Sequence, residues 1–420
     1  MQKDPLFEIY KPNGLTDVPG FKCAATSCDI RSQNNQRLDL AVIYSDYPCN
    51  VAAVFTQSKI VAAPVTLSKE SLQQKELVKA IVVNSGNANA CNGDQGLRDA
   101  REMIEISHQE LGLSAKDAVI VCSTGRIGRP LPMEKISRGL KTICHQLNDT
   151  QKVGKETAMA ILTSDTKEKM VSIRFNYQGE MIYLSGIAKG AGMIQPNMAT
   201  MLAFIATNAR IENSFFQDLL EKSVNKSFNA ISVDGDASTN DSVIALSNGQ
   251  SNATVSVKSE LLLEIFRSAL DRLTAELAEK IVSDGECITK VVSITVEGAK
   301  KNKDAEKIAR SIGNSLLVKT SWYGNDPNWG RILAALGYAE VEIQENKIDL
   351  FYDSFKGLER DKSIPVIING KSLPKNLQDW SKMVEKPRFG ILLKLNIGLD
   401  KFQLLANDLT EGYVNFNKSE

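Results

Sequence analysis

Short apolar runs separated by turn residues dominate the first third of the chain. Leu38-Asp39-Leu40-Ala41-Val42-Ile43-Tyr44, Val51-Ala52-Ala53-Val54-Phe55-Thr56, Ala80-Ile81-Val82-Val83-Asn84 and Ala118-Val119-Ile120-Val121-Cys122 read as strands. Helical periods fall at 96–111 and 133–147, and residues 156–164 form a further apolar element. Residues 171–175 and 181–187 alternate like the two arms of a hairpin. They lead into Lys189-Gly190-Ala191-Gly192-Met193-Ile194-Gln195-Pro196-Asn197-Met198-Ala199-Thr200, which has no helical period. An apolar run, 201–207, follows at once, so this segment predicts an irregular loop feeding a buried strand. Beyond it the pattern predicts helices at 213–224 and 261–278, a strand at 291–296 and a lysine-rich helix at 299–311. Asn325-Asp326-Pro327-Asn328-Trp329-Gly330-Arg331 reads as a loop opening a helix, with Asp326 or Asn328 as its cap. Residues 340–417 alternate short strands and turns.

Composition narrows the class. The 420 residues are 43% hydrophobic and 24% charged, ordinary globular values with enough apolar mass for two or three domains. Lys+Arg 50 balances Asp+Glu 50, so nothing suggests a surface for nucleic acid. Seven cysteines are scattered without a Cys-x-x-Cys pair, which fits buried thiols in a reducing compartment. The same spacing and only two histidines disfavour a metal site. The first residues lack the apolar stretch of a signal peptide, and no apolar run approaches the ~20 residues that cross a bilayer. A soluble cytoplasmic protein with no membrane partner is expected.

The histidines also constrain the chemistry. His108 and His145 lie in charged helical patterns, where solvated side chains are the plain reading, so a Ser-His-Asp arrangement is poorly supported. An acyl-transfer nucleophile would need another base. A threonine at a new amino terminus carries one on its own residue, and an α-amine titrates near ~8 against ~10.4 for lysine. Thr200 could gain such an amine by attacking the carbonyl of Ala199. By spacing alone, however, the segment is a glycine turn before a core strand.

Other candidates stay open at this level. Ser123-Thr124-Gly125, closing a buried strand, can present an N–H beside a hydroxyl, as an oxyanion would require. It is not a phosphate loop, having neither Gly-x-x-x-x-Gly-Lys-Ser/Thr nor Gly-x-Gly-x-x-Gly. Ser85-Gly86-Asn87-Ala88-Asn89-Ala90-Cys91-Asn92-Gly93 is either turn chemistry or backbone that approaches a ligand. Thr163-Ser164-Asp165-Thr166 either caps a turn or touches substrate. The acidic stretch 232–242 lacks calcium-loop spacing. Glu286 is either solvated or a pocket carboxylate.

Taken in order, Val82-Val83-Asn84-Ser85-Gly86-Asn87-Ala88-Asn89-Ala90-Cys91, Ser123-Thr124-Gly125, Lys189-Gly190-Ala191-Gly192-Met193-Ile194, Pro196-Asn197-Met198-Ala199-Thr200 and Asp326-Pro327-Asn328-Trp329-Gly330-Arg331 resemble the ornithine acetyltransferase (glutamate N-acetyltransferase) family of cyclic arginine biosynthesis. The resemblance implies an α/β fold of layered sheets and helices, similar to but distinct from the N-terminal-nucleophile hydrolases, as in aminopeptidases of this type. It implies a precursor cut between Ala199 and Thr200 into an α chain, 1–199, and a β chain, 200–420 with a C-terminal subdomain from about 300. The pieces would associate as a heterotetramer of two each. Thr200 would carry the acetyl group between N2-acetylornithine and glutamate, with Thr124 and Gly125 at the oxyanion. Thr163, Lys189, Glu286 and Asn417 would join Thr200 in contacting substrate. No cofactor or metal is implied, and acetyl-CoA is a candidate second donor. The sequence departs from the family at Cys287-Ile288, where small residues are usual, and after Asn417, where a terminal Thr or Ser is usual. The competing expectations are a self-processed amidohydrolase or aminopeptidase with the same nucleophile, and an inactive relative.

Overall fold

The predicted strands form because alternate side chains can be buried on both faces of a sheet. In the computed structural model, which describes residues 6–34, 36–74, 77–195, 201–373 and 377–418, the chain divides into two units. The first comprises Met1–Asn229 with Ala237–Ile281, and the second Ala230–Asp236 with Val282–Glu420. The bond between Ala199 and Thr200 lies outside the described residues.

The first unit is built on nine strands: β1 (Glu8–Tyr10), β2 (Phe21–Thr26), β3 (Leu40–Phe55), β4 (Leu77–Asn87), β5 (Asp117–Arg126), β6 (Lys169–Tyr177), β7 (Glu180–Lys189), β8 (Leu202–Thr207) and β9 (Ser242–Ser247). They run in the order β1-β6-β7-β8-β9-β3-β4-β5, with β2 also paired to β3. Strand β3 belongs to both halves. Its first part pairs with β4, its last six residues pair with β9, and the register slips between Tyr44 and Cys49. Period two then sorts the apolar residues. Ala41, Ile43, Ile81, Val83, Ile120 and Cys122 join Phe204, Ile244 and Leu246 in one core. Their neighbours Leu40, Val42, Ala80, Val82, Val119 and Val121 fill another. The two sheet halves therefore face each other across the first core, and helices close the second. Those helices are α1 (Ala63–Gln74), α2 (Gly93–Glu110) and α3 (Met133–Ile143), whereas α4 (Gln151–Ala160) packs on the first core. Helices α2 and α5 (Asn213–Lys226) make the crossovers of the parallel pairs β4/β5 and β8/β9. Against Gly186 of β7 lie Leu273 and Leu277 of the long helix α6 (Glu260–Val282).

The second unit has six strands, β10 (Val291–Ala299), β11 (Asp349–Asp353), β12 (Ile364–Ile368), β13 (Lys371–Ser372), β14 (Arg388–Lys394) and β15 (Asp400–Asn407), in the order β13-β12-β11-β14-β10-β15. Its helices are α7 (Asn302–Asn314), α8 (Leu316–Tyr323), α9 (Trp329–Gly337), α10 (Leu377–Val384) and α11 (Glu411–Asn417). The core holds Trp322, Tyr352 and Phe389 amid Ile, Leu and Val. Asn328 caps α9 through the Arg331 N–H at 3.3 Å, which settles the choice with Asp326. Two corrections concern the tail, read as strands and turns only. Residues 377–384 are helical because Trp380, Met383 and Val384 make one buried face, and residues 411–417 because Thr410 caps them. Among the described residues no helix is long and apolar enough to cross a membrane.

Candidate active site

Sheet topology brings separate sequence segments to one sheet end in the first unit. Strand β7 is antiparallel to β8, so its last residue, Lys189, pairs with Leu202, the first of β8. Strand β9 is parallel to β8, so its first residue, Ser242, also pairs with Leu202. Phe55, closing β3, pairs with Ser242. Asn240, just before β9, donates its side-chain amide to Ala88 O at 2.6 Å and Ser123 O at 2.9 Å. This ties the ends of β4 and β5, with Thr124 and Gly125, to the same place.

Lys189 is 2% exposed, and its Nζ lies 3.2 Å from Thr124 Oγ1. A hydroxyl that accepts from an ammonium keeps its own proton free to donate, and the charge behind it strengthens that donation. The ammonium retains two further N–H groups. Gly125 has φ +130°, and an added Cβ would stand 2.4 Å from the Gly86 carbonyl carbon. Only glycine lets β4 and β5 meet here.

Two lysines and a carboxylate are buried behind this pair. Asp165 Oδ1 accepts from Lys169 Nζ at 2.6 Å and from the Gly190 N–H at 2.6 Å, and Oδ2 accepts from the Thr163 N–H at 3.0 Å. Both side chains of the Asp165–Lys169 ion pair have no exposed surface. Burial alone would raise the Asp165 carboxyl, but Lys189, Lys169 and the hydrogen bonds outweigh it and bring it down to about 2. Lys189 is pulled below its ordinary value by burial first, with Asp165 opposing and Lys169 adding. Thr163 sits in the turn after α4, with its carbonyl held by Arg37 Nη2 at 2.7 Å. Asp165 therefore links Thr163 to Gly190, next to Lys189.

The amides at the end of β4 are spent on structure. Asn84 Nδ2 donates to Asn87 O, Ser123 Oγ to Asn84 Oδ1, and Asn87 Nδ2 to Arg129 O and Pro130 O.

In the second unit, Glu286 is 8% exposed, and Asn417 Nδ2 donates to its Oε2 at 3.1 Å. Helix α11 carries Asn417, and its cap Thr410 also donates to Cys287 O at 2.7 Å, tying the helix to the turn that holds Glu286. Cys287 has φ +55°, the left-handed region that glycine adopts without strain. The sequence-derived residues thus gather in two sets: Thr124, Gly125, Thr163 and Lys189 in one unit, Glu286 and Asn417 in the other. Thr200 lies outside the described residues.

Sequence reading missed Lys169 and Asp241, and took Asp165 only as part of a hydroxyl cluster. Asp241 is buried, its Oδ1 accepts the Met201 N–H at 2.7 Å, and Oδ2 has no hydrogen-bond partner among the described residues. Burial pushes its carboxyl well above the usual range, with the Met201 N–H and Lys189 pulling the other way. The available signal was an acidic residue separated only by Ser242 from the wholly apolar run Val243-Ile244-Ala245-Leu246.

The ArgJ family profile matches residues 22–419. The arginine biosynthesis bifunctional protein ArgJ of Dehalococcoides mccartyi is 42% identical over 414 residues, covering 98% of each chain. The protein of the same name from Geobacter sulfurreducens is 40% identical over 402 residues, covering 96% of this chain and 98% of that one. A solved ornithine acetyltransferase complexed with ornithine, from Mycobacterium tuberculosis, is 32% identical with TM-score 0.41, covering 45% of this chain and 98% of that one. With a profile match spanning nearly all of its length and relatives this similar end to end, the chain belongs to the ArgJ family.

Proposed function

We propose that the protein is a glutamate N-acetyltransferase of arginine biosynthesis, moving acetyl from N2-acetyl-L-ornithine to L-glutamate through an acetyl ester on Thr200. The chain is first cut between Ala199 and Thr200, which frees the amine that the nucleophile needs. In the first half-reaction Thr200 Oγ attacks the acetyl carbonyl and its proton passes to the Thr200 amine. The C–N bond then breaks, and that proton leaves on the ornithine nitrogen. In the second half-reaction the glutamate amine attacks the ester, N-acetylglutamate departs and the hydroxyl recovers its proton.

The observation that carries this reading is the buried contact between Lys189 Nζ and Thr124 Oγ1. It supports a polarised hydroxyl donor at the oxyanion, beside Gly125. Losing one such donor typically costs about 3–4 kcal/mol of transition-state stabilisation. The remaining Lys189 donors suit a substrate carboxylate, with Thr163 nearby in sequence to Asp165. Glu286, with Asn417, suits a substrate ammonium. Acetyl-CoA is a second candidate donor, in line with the word bifunctional in the names of the relatives. The α and β chains would stay together as a heterotetramer of two each, in the cytoplasm.

The test is acceptor dependence. Ornithine release from N2-acetylornithine should rise when glutamate is added, with N-acetylglutamate formed in equal amount. Release that ignores glutamate and yields free acetate would mean that water is the acceptor, and the reading would be wrong.

A further inference from the structure

Arg31 has no part in the chemistry above, yet the loop between β2 and β3 is fastened on both sides of it. The Asp39 carboxylate accepts the Cys28 N–H at 2.6 Å and the Ile30 N–H at 2.7 Å. Lys135 Nζ holds Asp29 Oδ2 at 3.0 Å, and the Asp29 carbonyl takes the Ser32 N–H at 3.0 Å. Ile30 is buried in the second core. The Asp39 carbonyl in turn takes the Ser85 N–H at 2.9 Å, which ties the loop to the residue before Gly86.

This anchoring lays the Arg31 side chain across Gly86. A Cβ on Gly86 would stand 2.7 Å from Arg31 Cγ and 3.2 Å from its Nε, and Gly86 is the register partner of Gly125. Arg31 therefore lies over the strand pair that carries Thr124 and Gly125. Its charge reaches Lys189: Arg31 and Lys169 disfavour the proton on that amine, while Asp165 and Asp241 favour it. Arg31 is partly exposed, so a solute can meet it. Neighbouring cations are engaged with protein atoms: Lys169 with Asp165, Lys135 with Asp29, and Arg37 with Thr163 O.

The two amino-acid substrates differ at one end. Ornithine ends in an ammonium and glutamate in a second carboxylate. Glu286, which suits the ammonium, would repel that carboxylate. Lys189 spends one N–H on Thr124 Oγ1 and suits a single carboxylate, so an acceptor with two calls for another cation. The planar fork of a guanidinium matches a carboxylate with two parallel hydrogen bonds.

We propose that Arg31 selects the acceptor: it takes the side-chain carboxylate of glutamate while Lys189 takes the α-carboxylate. The proposal rests on the acetyl-transfer reading and names the group by which the site tells glutamate from ornithine. Arg31 makes and breaks no bond in the reaction and passes no proton.

The two half-reactions can be read separately in the whole protein. The variant Arg31→Met keeps most of the stem over Gly86 and removes the charge. Acetylation by N2-acetylornithine, followed by intact mass and as ornithine release without acceptor, should stay within about twofold of the parent. Transfer onward to glutamate should fall roughly 50-fold in kcat/KM, mainly through KM, the size of a lost charge-assisted pair. Glutamine has the same shape and a neutral end, so as acceptor it should differ less than about twofold between variant and parent. The preference for glutamate over glutamine therefore collapses. Arg31→Lys, which restores a charge without the fork, should recover part of that preference. A loop that had merely lost its packing would slow both half-reactions and both acceptors alike. That result overturns the proposal, and so does an unchanged preference for glutamate. Should the Met variant not accumulate, Arg31→Gln is read in the same way. A parent that N2-acetylornithine never acetylates, or that gives its acetyl group to water whether or not glutamate is present, defeats the acetyl-transfer reading along with this inference. A parent that transfers to glutamate and is matched by its Met variant defeats the inference alone.

Discussion

At the scale of single residues, the site depends on atoms that have no room to move. Gly125 stands so close to Gly86 that one methyl group must displace backbone, and its φ of +130° is costly for any other residue. Gly125→Ala should therefore lose about 3 kcal/mol or more of stability, read as a lower urea midpoint, together with activity. A variant with the parent midpoint would show that the two strands can separate here without cost. Thr200→Ala removes hydroxyl and amine chemistry together. On gels it should remain one full-length band without acetyl transfer, while the parent gives fragments of about 22 and 24 kDa by the usual ~110 Da per residue. Processing of the alanine variant would place the cutting activity elsewhere.

At the scale of elements, small caps position the proposed substrate contacts. Thr410 both starts α11 and fastens it to Cys287 O, and α11 carries Asn417 to Glu286. Thr410→Ala should cost about 1 kcal/mol of stability and raise KM for an amino-acid substrate roughly fivefold, with kcat little changed. Unchanged steady-state kinetics would mean that Asn417 is placed by something other than its helix. Elements of this kind explain what could be read in advance. Strands β3, β4, β5 and β8 were legible from their apolar runs, whereas β9, behind an acidic stretch, was not. Helix α6 was legible from its period. Helix α11 was not, since Tyr413, Val414 and Phe416 look like a short strand until Thr410 is seen to cap them. Thr124 was a candidate from its Ser-Thr-Gly turn, and Lys189 only through the order of motifs. Their contact needs β5 and β7 to end together, which follows from pairings that no local pattern encodes. Asp241 and Lys169 were illegible for a related reason. A charged residue in sequence looks solvated, and only the assembled sheet shows that water is excluded.

At the scale of the whole molecule, buried charges link folding to pH in two windows. Asp165 has its carboxyl brought from 3.8 to about 2. The folded state thus binds its proton more weakly than the unfolded chain, and the contribution, about 2 kcal/mol, is complete above pH ~4 and disappears as pH falls towards 2. Lys319, buried against Asn407 O and Asn407 Oδ1, is brought by burial from 10.5 down to about 8, with Asp234 and Asp408 opposing. Between those two values the unfolded state holds more protons, so stability should rise with pH from about 8 to about 10.5. Melting curves of the parent should show both trends. Asp165→Asn should flatten the acid one and Lys319→Met the alkaline one. A Lys319→Met protein with the parent's alkaline slope would assign that slope to another group. The Asp165 window matters for catalysis too, because that carboxylate neutralises two lysines next to the proposed oxyanion donor.

The central claim is that Thr200, released as an amino terminus, carries the acetyl group between substrates. Intact mass spectrometry of the purified protein, before and after N2-acetylornithine is added without glutamate, tests it most directly. The account predicts two chains, with one acetyl group gained by the chain that begins at Thr200 and lost again when glutamate is supplied. A single unbroken chain that nevertheless transfers acetyl, or an acetyl group found on the other fragment, would contradict it.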